Sequence, residues 1–420
     1  MEIRNALSQI QNLNLSYPNY SSFLLFTFHP FSPMNICFFT GTRADYGILA
    51  PIMREVEKHN GVNLQIIAAN MHLSEEFGMT VNEIEADGFK VAFKIRSLVP
   101  GGNAKSTVLS IAKLEEGLAD AYENLRPDLL VILGDRYEAL AAATAAVTFN
   151  IPIAHLHGGE TTLGAIDDKF RHAITKLADY HFAATPQYVE NIILMGENPE
   201  NVFHSGAPGA VIQEEEMEDL SNVFYEKTEL DITSEQIILL TFHPVTTLPD
   251  KGEKELKATL EALEVFLPQG YKVLVSMPNS DPGNPGIREM LQNWSKAHPN
   301  NVKSVDSLGA KLFHYAMDNS AAIVGNSSAA LIEAPSHRLG AVNVGKRQLG
   351  RAHGITVIDA SDNKDSIVSA LKNVLSLEMK SVLLGLPLSS LNPYYKENAA
   401  EFIAHKLINI TTHLIEGKKS

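Results

Sequence analysis

Cysteine, long apolar runs and positive charge are all scarce in this 420-residue sequence. The single cysteine, Cys37, excludes an internal disulfide and fits a protein of the reducing cytoplasm. No apolar run approaches the roughly 20 residues that span a bilayer, so we expect no membrane-spanning helix. The net charge of −15 disfavours binding to nucleic acid or to anionic membranes. An anionic ligand would therefore depend on local arginines and on helix N-termini.

The length predicts two domains, because 420 residues exceed what one ordinary hydrophobic core supports. Residues 1–33 lack helical periodicity, contain three prolines and end just before Met34. Their apolar piece, residues 23–28, is too short and too far from a basic start to be a signal peptide. We interpret residues 1–33 as an extension outside the fold.

From Met34 onward, a short apolar run, a glycine-rich or polar turn and a helical stretch recur in that order. The runs are NICFFT, DLLVIL, IPIAHL, NVFHS, IILLTF, YKVLVSM, AAIVG and GAVNV. Continuous apolar runs that alternate with helices are typical of parallel strands covered on both faces. A charged stretch within residues 206–235 separates two such series.

The predicted fold is therefore α/β, with two doubly wound Rossmann-like domains that face a cleft. We place the first domain at residues 34–210 and the second at residues 211–390. Residues 391–420 look like an amphipathic C-terminal helix that packs across the domain junction.

Polar clusters follow the predicted strands directly, at the sheet edge where open α/β folds bind ligands. Two sheets that face each other would gather these clusters around one cleft. One cluster lies in PIAHLHGGETTLGAIDDKFRHAITK, residues 152–176, which holds three histidines and three carboxylates. This segment is predicted to be a loop at a strand end, followed by a helix that starts near Asp167.

Two further strand ends carry groups that suit an anion. In TGTRADYG, Gly41 permits a tight turn and Arg43 starts a helix, although a plain turn with a solvated arginine is the alternative. In GNSSAALIEAPS, Ser327 and Ser328 are predicted N-caps of a helix whose free N–H groups suit a diphosphate. Glu333 would lie five or six residues into that helix, within reach of a sugar hydroxyl. An ordinary capped helix is the alternative.

More cationic and imidazole groups follow the next predicted strands. GKRQLGR places Lys346, Arg347 and Arg351 beside the predicted serine caps. TFHPVTT places His243 at a strand end, where it is a candidate ligand contact or a structural histidine.

The histidines of residues 152–176 allow two interpretations. His155 and His157 could form a metal pair, which needs further ligands at neighbouring strand ends. An acid–base site instead needs titratable groups that the cleft can separate in pKa. The candidates for it are Asp135, His157, Glu160, Asp167 and His172. The cationic clusters favour a pocket without metal. Because alternate strand residues point to opposite faces, one histidine should pack inward and one should face the cleft.

Taken together, these motifs resemble those of the hydrolysing UDP-N-acetylglucosamine 2-epimerases of bacterial sialic-acid and legionaminic-acid synthesis. The likeness rests on TGTRADYG, GDRYE, PIAHLHGGE, AIDD with RHAITK, FHPV, GNSS with IEAPS, RQLGR and NPYYKENA. It runs from Met34 almost to the C-terminus. The family is similar in fold to non-hydrolysing 2-epimerases and to GT-B glycosyltransferases. The resemblance implies a UDP-sugar substrate, no metal or nicotinamide cofactor, and a homodimer or homotetramer.

The implied reaction converts UDP-N-acetylglucosamine to free N-acetylmannosamine and UDP. A base removes the hydrogen at C2 while UDP leaves from C1, and water then adds with inverted configuration at C2. The transition states resemble an oxocarbenium ion, so nearby carboxylates stabilise them. UDP-N,N'-diacetylbacillosamine, which differs at C4 and C6, fits the same chemistry and stays an alternative substrate.

The resemblance also assigns roles to residues of this sequence. Asp135 and Asp167 correspond to carboxylates with acid–base roles. The residues implied to hold UDP or its sugar are Arg43, Asp45, Arg136, His243, Asn279, Ser327, Ser328, Glu333 and Arg347. His157 departs from the pattern, since some members have a glutamate there. The group that takes the C2 proton stays open between His157, Glu160 and Asp135.

Three other functions remain compatible with the sequence. They are a retaining GT-B glycosyltransferase, a nucleotide-sugar-binding protein without turnover, and a non-hydrolysing epimerase. In each case we expect the two domains to close around the ligand through residues 206–235.

Overall fold

Two fully parallel sheets organise residues 33–212, 220–278 and 284–417, which the computed structural model describes. The strands of the first sheet are β1 (Met34–Thr40), β2 (Val62–Ala69), β3 (Phe93–Ile95), β4 (Leu129–Leu133), β5 (Ile153–Leu156), β6 (Tyr180–Ala183) and β7 (Val202–His204). Their spatial order is β3-β2-β1-β4-β5-β6-β7. The order reverses at β1, so the ends of β1 and β4 flank the position where doubly wound sheets bind ligands.

The second sheet repeats this arrangement with six strands. They are β8 (Gln236–Thr241), β9 (Tyr271–Ser276), β10 (Val302–Val305), β11 (Ala322–Gly325), β12 (Ala341–Val344) and β13 (Val357–Ala360). Their order is β10-β9-β8-β11-β12-β13, with the reversal at β8. Thr241 pairs with Gly325, and Gly325 pairs with Asn343, so the ends of β8, β11 and β12 lie side by side.

Helices connect the strands and cover the sheets. In the first half they are α1 (Arg43–Glu57), α2 (Val81–Ala86), α3 (Ala104–Leu125), α4 (Tyr137–Thr148), α5 (Asp167–Leu177) and α6 (Pro186–Leu194). Further along the chain they are α7 (Leu220–Thr228), α8 (Glu253–Leu263), α9 (Asn284–Ala297), α10 (Ala310–Asn319), α11 (Ala329–Ile332), α12 (Lys364–Val374), α13 (Leu377–Gly385), α14 (Leu388–Leu391) and α15 (Ala399–Gly417). Short 3-10 turns occur at Asn70–Leu73, Glu75–Phe77, Pro199–Asn201, Pro208–Ala210 and Leu267–Gln269.

Apolar side chains fill both faces of each sheet. Every residue of β4 and β5 is buried, as their continuous apolar sequences predict. In the first half, α1 and α15 cover one face, and α3 and α4 cover the other. Complete burial of one such aliphatic side chain contributes about 1.5–3 kcal/mol, so these layers fix the strand ends firmly. A further cluster that includes Tyr188, Ile332 and Tyr394 joins the two halves.

The predicted fold class is confirmed, since both sheets are parallel and doubly wound. The break predicted within residues 206–235 lies between β7 and β8. The domain boundaries at residues 210 and 390 stay a prediction. The extension proposed for residues 1–33 lies outside the described residues, except for Pro33.

The C-terminal helix differs from the prediction in its start and its position. It begins at Ala399, because Asn398 adopts a left-handed backbone (φ 56°) that a helix cannot continue. Ile403 and Leu407 join the core of the first sheet, so α15 does not lie across the junction. The chain crosses earlier, where the buried Tyr394 hydroxyl donates to the Ala352 carbonyl (2.8 Å).

Candidate active site

A cavity of about 280 Å³ lies where the strand ends of the two sheets face each other. Most of the predicted site residues line it together. From the first half these are Arg43, Asp45, Asp135, Arg136, His157 and Asp167, and from the second half His243, Ser327, Ser328, Glu333 and Arg347. The lining therefore mixes titratable groups from one sheet with hydroxyl and cationic groups from the other.

The turn between β1 and α1 is held by a capping box. The Thr42 hydroxyl accepts from the Asp45 amide (3.3 Å), and the Asp45 carboxylate accepts from the amides of Gly41 (3.2 Å) and Thr42 (3.0 Å). These bonds satisfy orphan amides at the helix start and direct Arg43 toward the cavity. Burial raises the pKa of Asp45 to about 6, against the opposing charge of Arg136. Asp45 is thus a structural group of the turn as well as part of the lining.

Asp135 is anchored by a buried arginine that the sequence analysis missed. Arg171, on α5, is fully buried and donates to the Asp135 carboxylate. The same guanidinium donates to the Glu160 carbonyl (3.0 Å) and the Thr162 hydroxyl (2.8 Å). Its signal in the sequence was a lone arginine on the buried face of an amphipathic helix, which requires a buried partner.

Arg136 directly precedes α4 as its N-cap residue and is also held by a carboxylate. Its guanidinium pairs with the buried Glu138 (3.1 Å) and lies 5.7 Å from the centre of the Tyr137 ring. These contacts keep Arg136 at the cavity wall, where its proposed contact with the ligand stays a prediction.

His155 lies within β5 and His157 directly follows this strand, and the two side chains take separate positions, as expected. His155 is fully buried, and its Nε2 donates to the Gly134 carbonyl (2.7 Å). Burial lowers the pKa of His155 to about 3, so this ring is neutral and structural. Within residues 33–212, 220–278 and 284–417, no cluster of three or more His, Cys, Asp or Glu side chains is arranged to hold a metal ion. The metal-pair interpretation therefore finds no support in this part of the chain.

His157 faces the cavity from a left-handed backbone conformation (φ 62°). This conformation is unfavourable for a non-glycine residue by about 1–3 kcal/mol, and such strain often marks a functional site. Its Nδ1 donates to the Glu160 carboxylate (2.6 Å), and its buried Nε2 has no hydrogen-bond partner. A neutral ring held in this way carries its lone pair on Nε2.

Glu160, one of the candidates for the group that takes the C2 proton, lies behind the cavity and not in its lining. It is fully buried between His157 and Arg351, and its second oxygen accepts from Arg351 Nε (2.9 Å) and Nη2. Burial alone would raise the pKa of Glu160, but the charge of Arg351 and the hydrogen bond from His157 outweigh it and hold the pKa well below its usual value. Glu160 is thus an ionised group that can act only through its neighbours.

The helix predicted near Asp167 begins at that residue. Asp167 and Asp168 lie in the first turn of α5, where negative charge is stabilised by the helix dipole. Asp167 lines the cavity, whereas Asp168 turns back to accept from the Thr162 amide (2.5 Å). His172, another candidate, lies outside the lining near Asp168, at 3.6 Å.

On the second sheet, Asn326 connects His243 to the cationic loop. Its amide group bonds the His243 backbone reciprocally, at 2.7 and 2.8 Å. The backbone carbonyl of Asn326 accepts from Arg347 Nη1 (3.1 Å) and from Gln348 Nε2 (2.9 Å). Sequence reasoning missed Asn326, although it precedes the two serines at the end of β11. Lys346, which was grouped with Arg347, is exposed and absent from the lining.

The serine helix is shorter than predicted. α11 spans only Ala329–Ile332, and the Ser328 hydroxyl makes no capping bond. Ser327 accepts a long bond from the Ala329 amide (3.4 Å). Glu333 comes directly after α11, not inside a helix, and burial raises its pKa to about 7 despite the nearby His337. One helical turn has a weak dipole, so an anion here would depend mainly on Arg347 and on backbone amides.

Two further residues bear on the site, of which one was predicted and one was not. Asn279 lies outside the described residues, and its contact with the ligand stays a prediction. Thr241 was not predicted, yet it lines the cavity with a buried hydroxyl that has no hydrogen-bond partner.

Loops from the two halves touch beside the cavity. The Leu163 amide donates to the Leu349 carbonyl (3.1 Å), and the Thr247 hydroxyl donates to the Gly164 carbonyl (2.7 Å). Gly164 packs so closely that an added Cβ would lie 2.2 Å from the Lys346 carbonyl oxygen. Only a residue without a side chain fits between these backbones.

Across the described part of the chain, no helix combines the length and apolarity needed to cross a bilayer.

A family model described as UDP-N-acetylglucosamine 2-epimerase matches residues 54–408. The GDP/UDP-N,N'-diacetylbacillosamine 2-epimerase (hydrolyzing) of Campylobacter jejuni is 34% identical over 349 residues, 83% of this chain and 89% of the relative. The UDP-N,N'-diacetylbacillosamine 2-epimerase (hydrolyzing) of Legionella pneumophila is 36% identical over 341 residues, 81% and 89% of the two chains.

The fold has solved counterparts as well. The UDP-GlcNAc 2-epimerase of Neisseria meningitidis, in a crystal structure bound to UDP-GlcNAc, superposes with a TM-score of 0.72. The match covers 90% of this chain and all of the other at 20% identity, so it supports the shared fold.

Proposed function

Because the chain belongs to the UDP-N-acetylglucosamine 2-epimerase family, we propose that it is a hydrolysing 2-epimerase of a UDP-2-acetamido sugar. The products would be UDP and the free sugar with inverted configuration at C2. The observation that carries the proposal is the single cavity lined by Asp135, His157 and Asp167 on one side and Arg347 on the other. The first set suits proton transfer at a sugar ring, and the second suits a diphosphate leaving group.

The names of two relatives bear on the sugar. Both relatives, at 34% and 36% identity, are named for UDP-N,N'-diacetylbacillosamine, so we propose this substrate first. UDP-N-acetylglucosamine, which the sequence analysis placed first, is the second candidate because the family model carries that name.

In the proposed binding mode, the second half grips UDP. Arg347 would donate charge-assisted hydrogen bonds to the diphosphate, and its buried Nε has no partner in the described protein. The hydroxyls of Ser327 and Ser328 and the Thr241 hydroxyl are further donors in the lining. Glu333 would accept from a hydroxyl of the ribose or sugar.

In the first step, His157 Nε2 takes the hydrogen of C2 as a proton. The C2–H electron pair forms the C1=C2 double bond, and the C1–O bond breaks with its electron pair leaving on UDP. The support for His157 is its vacant Nε2 at the cavity wall, with Nδ1 already donating to Glu160. Positive charge that develops on the ring is stabilised by the nearby carboxylates of Asp135 and Asp167.

In the second step, a water oxygen adds to C1 and a proton adds to the opposite face of C2. Asp135 and Asp167 are the proposed acid–base groups for this addition, because they line the cavity apart from His157. The net change consumes one water and inverts C2. This assignment keeps the base of the first step separate from the acid of the second.

The direct test incubates the full-length protein with each UDP-sugar in D2O and follows the products by NMR. We expect UDP and free sugar in equal amounts, with deuterium at C2 of the sugar. A product that lacks deuterium at C2 would contradict the proton abstraction. The ratio of kcat/KM for the two UDP-sugars identifies the preferred substrate, and a His157→Gln variant controls for background hydrolysis.

The same experiment separates the other functions. Accumulation of a UDP-sugar epimer without free sugar would indicate a non-hydrolysing epimerase. Consumption that requires an added acceptor would indicate a glycosyltransferase. Tight binding of the UDP-sugar without turnover would indicate a binding protein.

A further inference from the structure

A buried ion pair connects the second half of the molecule to the proposed base in the first half. The Glu160 carboxylate uses one oxygen for His157 Nδ1 (2.6 Å) and the other for Arg351 Nε (2.9 Å). Arg351 comes from the loop after β12, and its Nη1 also donates to Gln348 (2.9 Å). The side chains of His157, Glu160 and Arg351 are each less than a tenth exposed.

We propose that Arg351 and Glu160 are positioning residues that make His157 competent to accept the C2 proton. This inference rests on the proposed function and deepens it. Arg351 orients the Glu160 carboxylate, and the carboxylate fixes the His157 ring with its Nε2 lone pair toward the cavity. The base is therefore assembled from both halves of the molecule.

The backbone at His157 explains why such support is needed. A left-handed conformation is unfavourable for a residue with a side chain, so a ring on this backbone relaxes unless its surroundings hold it. The hydrogen bond from Nδ1 to Glu160 fixes the orientation of the His157 ring, since the other ring nitrogen, Nε2, has no hydrogen-bond partner. Two contacts from Arg351 to one oxygen hold the carboxylate in a single orientation.

Charge balance gives Arg351 a second effect. The charged and titratable groups that face His157 or its partner come from each packed element: Glu160, Arg171 of α5, Asp135, Arg351 and Glu333. Arg171 is paired with Asp135, so Arg351 is the cation that balances Glu160. Without Arg351, Glu160 would keep a buried charge that no cation balances, and its carboxylate would lose the contacts that orient it toward His157.

The test separates this role from simple structural support. Arg351→Met should lower kcat by at least about 10²-fold and lower the melting temperature, because it leaves a buried carboxylate without its partner. The double variant Glu160→Gln/Arg351→Met removes that uncompensated charge. We expect it to regain melting temperature without regaining kcat, and its KM for the UDP-sugar should stay within about threefold of wild type.

A second comparison asks whether the base still contributes. His157→Gln should reduce the kcat of the wild type strongly but change the double variant by less than about threefold, because residues that act as one unit are not additive. Arg351→Lys keeps the charge but loses the two-point contact, so it should regain part of the activity. Arg338→Met, which removes an arginine bonded to the carbonyls of Leu383 and Leu386, is the matched control with unchanged kcat.

Two results would overturn the inference. One is a double variant whose kcat returns with its melting temperature, since that would reduce the pair to structural support. The other is a full effect of His157→Gln in the double variant. Failure of the proposed function itself looks different, because the wild type would then release no free sugar from either UDP-sugar.

Discussion

Gly164→Ala is predicted to separate the two loops that meet beside the cavity. An alanine Cβ at this position would lie 2.2 Å from the Lys346 carbonyl oxygen and 2.5 Å from Arg347 Cα. Both neighbours are backbone atoms and cannot rotate away. The φ of Gly164 lies outside the left-handed region, so alanine is otherwise acceptable there. The substitution therefore acts on the contact between the halves and leaves the local backbone unstrained.

The size of the effect follows from these distances. An ordinary van der Waals contact begins at 3.4 Å, so the loops must move apart by about 1 Å. A displacement of that size in a catalytic arrangement lowers the rate by about 10²-fold. The folded state loses up to two hydrogen bonds between the loops, each contributing about 0.5–1.5 kcal/mol. Alanine restricts the unfolded chain and offsets about 0.4–1 kcal/mol of this loss, so the net destabilisation should lie between about 0 and 2.6 kcal/mol.

The assay measures the release of free sugar and UDP together with the melting temperature. Gly385→Ala is the matched control, since nothing lies within 4 Å of its added Cβ and its φ is also unexceptional. It should keep wild-type kcat and stability within a few tenths of a kcal/mol. A wild-type kcat in the Gly164→Ala variant would refute the reasoning, because turnover would then not require the loops to touch as they do here.

Three further predictions test the division of roles around the cavity. Asp135→Asn should lower kcat by at least about 10²-fold with little loss of UDP affinity, because we propose that this group acts on the sugar in the transition state. Arg347→Ala should weaken UDP binding in calorimetry by about 1.5–3 kcal/mol, the range of a hydrogen bond to a charged group. Equal affinity losses in both variants would contradict this division. Glu333→Gln should flatten the pH dependence of stability. Burial raises the Glu333 pKa from 4.5 to about 7, so the folded state binds more protons between these values. The unfolding free energy of the wild type should therefore fall by up to about 3 kcal/mol as the pH rises from about 4.5 to 7, and the variant should lack that fall.

Several central strands could be predicted from the sequence because they are buried on both faces, although the central strands β2 and β6 were not predicted. β4 and β8 read as continuous apolar runs for this reason. The edge strands β3, β10 and β13 lack this signal and were not predicted, whereas the edge strand β7 was predicted from NVFHS. β10 and β13 each span four residues, of which only the first and the last are buried. So short a mixed pattern cannot be distinguished from a loop.

The errors in helix length had signals in the sequence that apolar periodicity obscured. Pro335 disfavours helical backbone at Ala334, so the helix after the two serines had to end early. Near the C-terminus, Pro393 and Asn398 mark the irregular stretch before α15. These residues interrupt the hydrogen-bond ladder whatever their apolar neighbours favour. Proline and asparagine at such positions therefore predict where a helix begins or ends better than apolar periodicity does.

The meeting of the site residues followed from topology, whereas their pairings did not. Doubly wound sheets place β4 beside β5 and β8 beside β11, so Asp135 and His157 meet at the strand ends of the first sheet, and His243 lies at the strand ends of the second. A buried Glu160 must also find a cation, because an unpaired buried charge is too unfavourable to persist. The sequence nevertheless offers several arginines at strand ends, and Arg351 lies 191 positions from Glu160. The choice among them depends on how closely the two sheets approach, which is a property of side-chain packing between the halves. Because the Glu160–Arg351 pair joins the two halves, it reports on how closely they approach, and the orientation of the proposed base His157 depends on that approach.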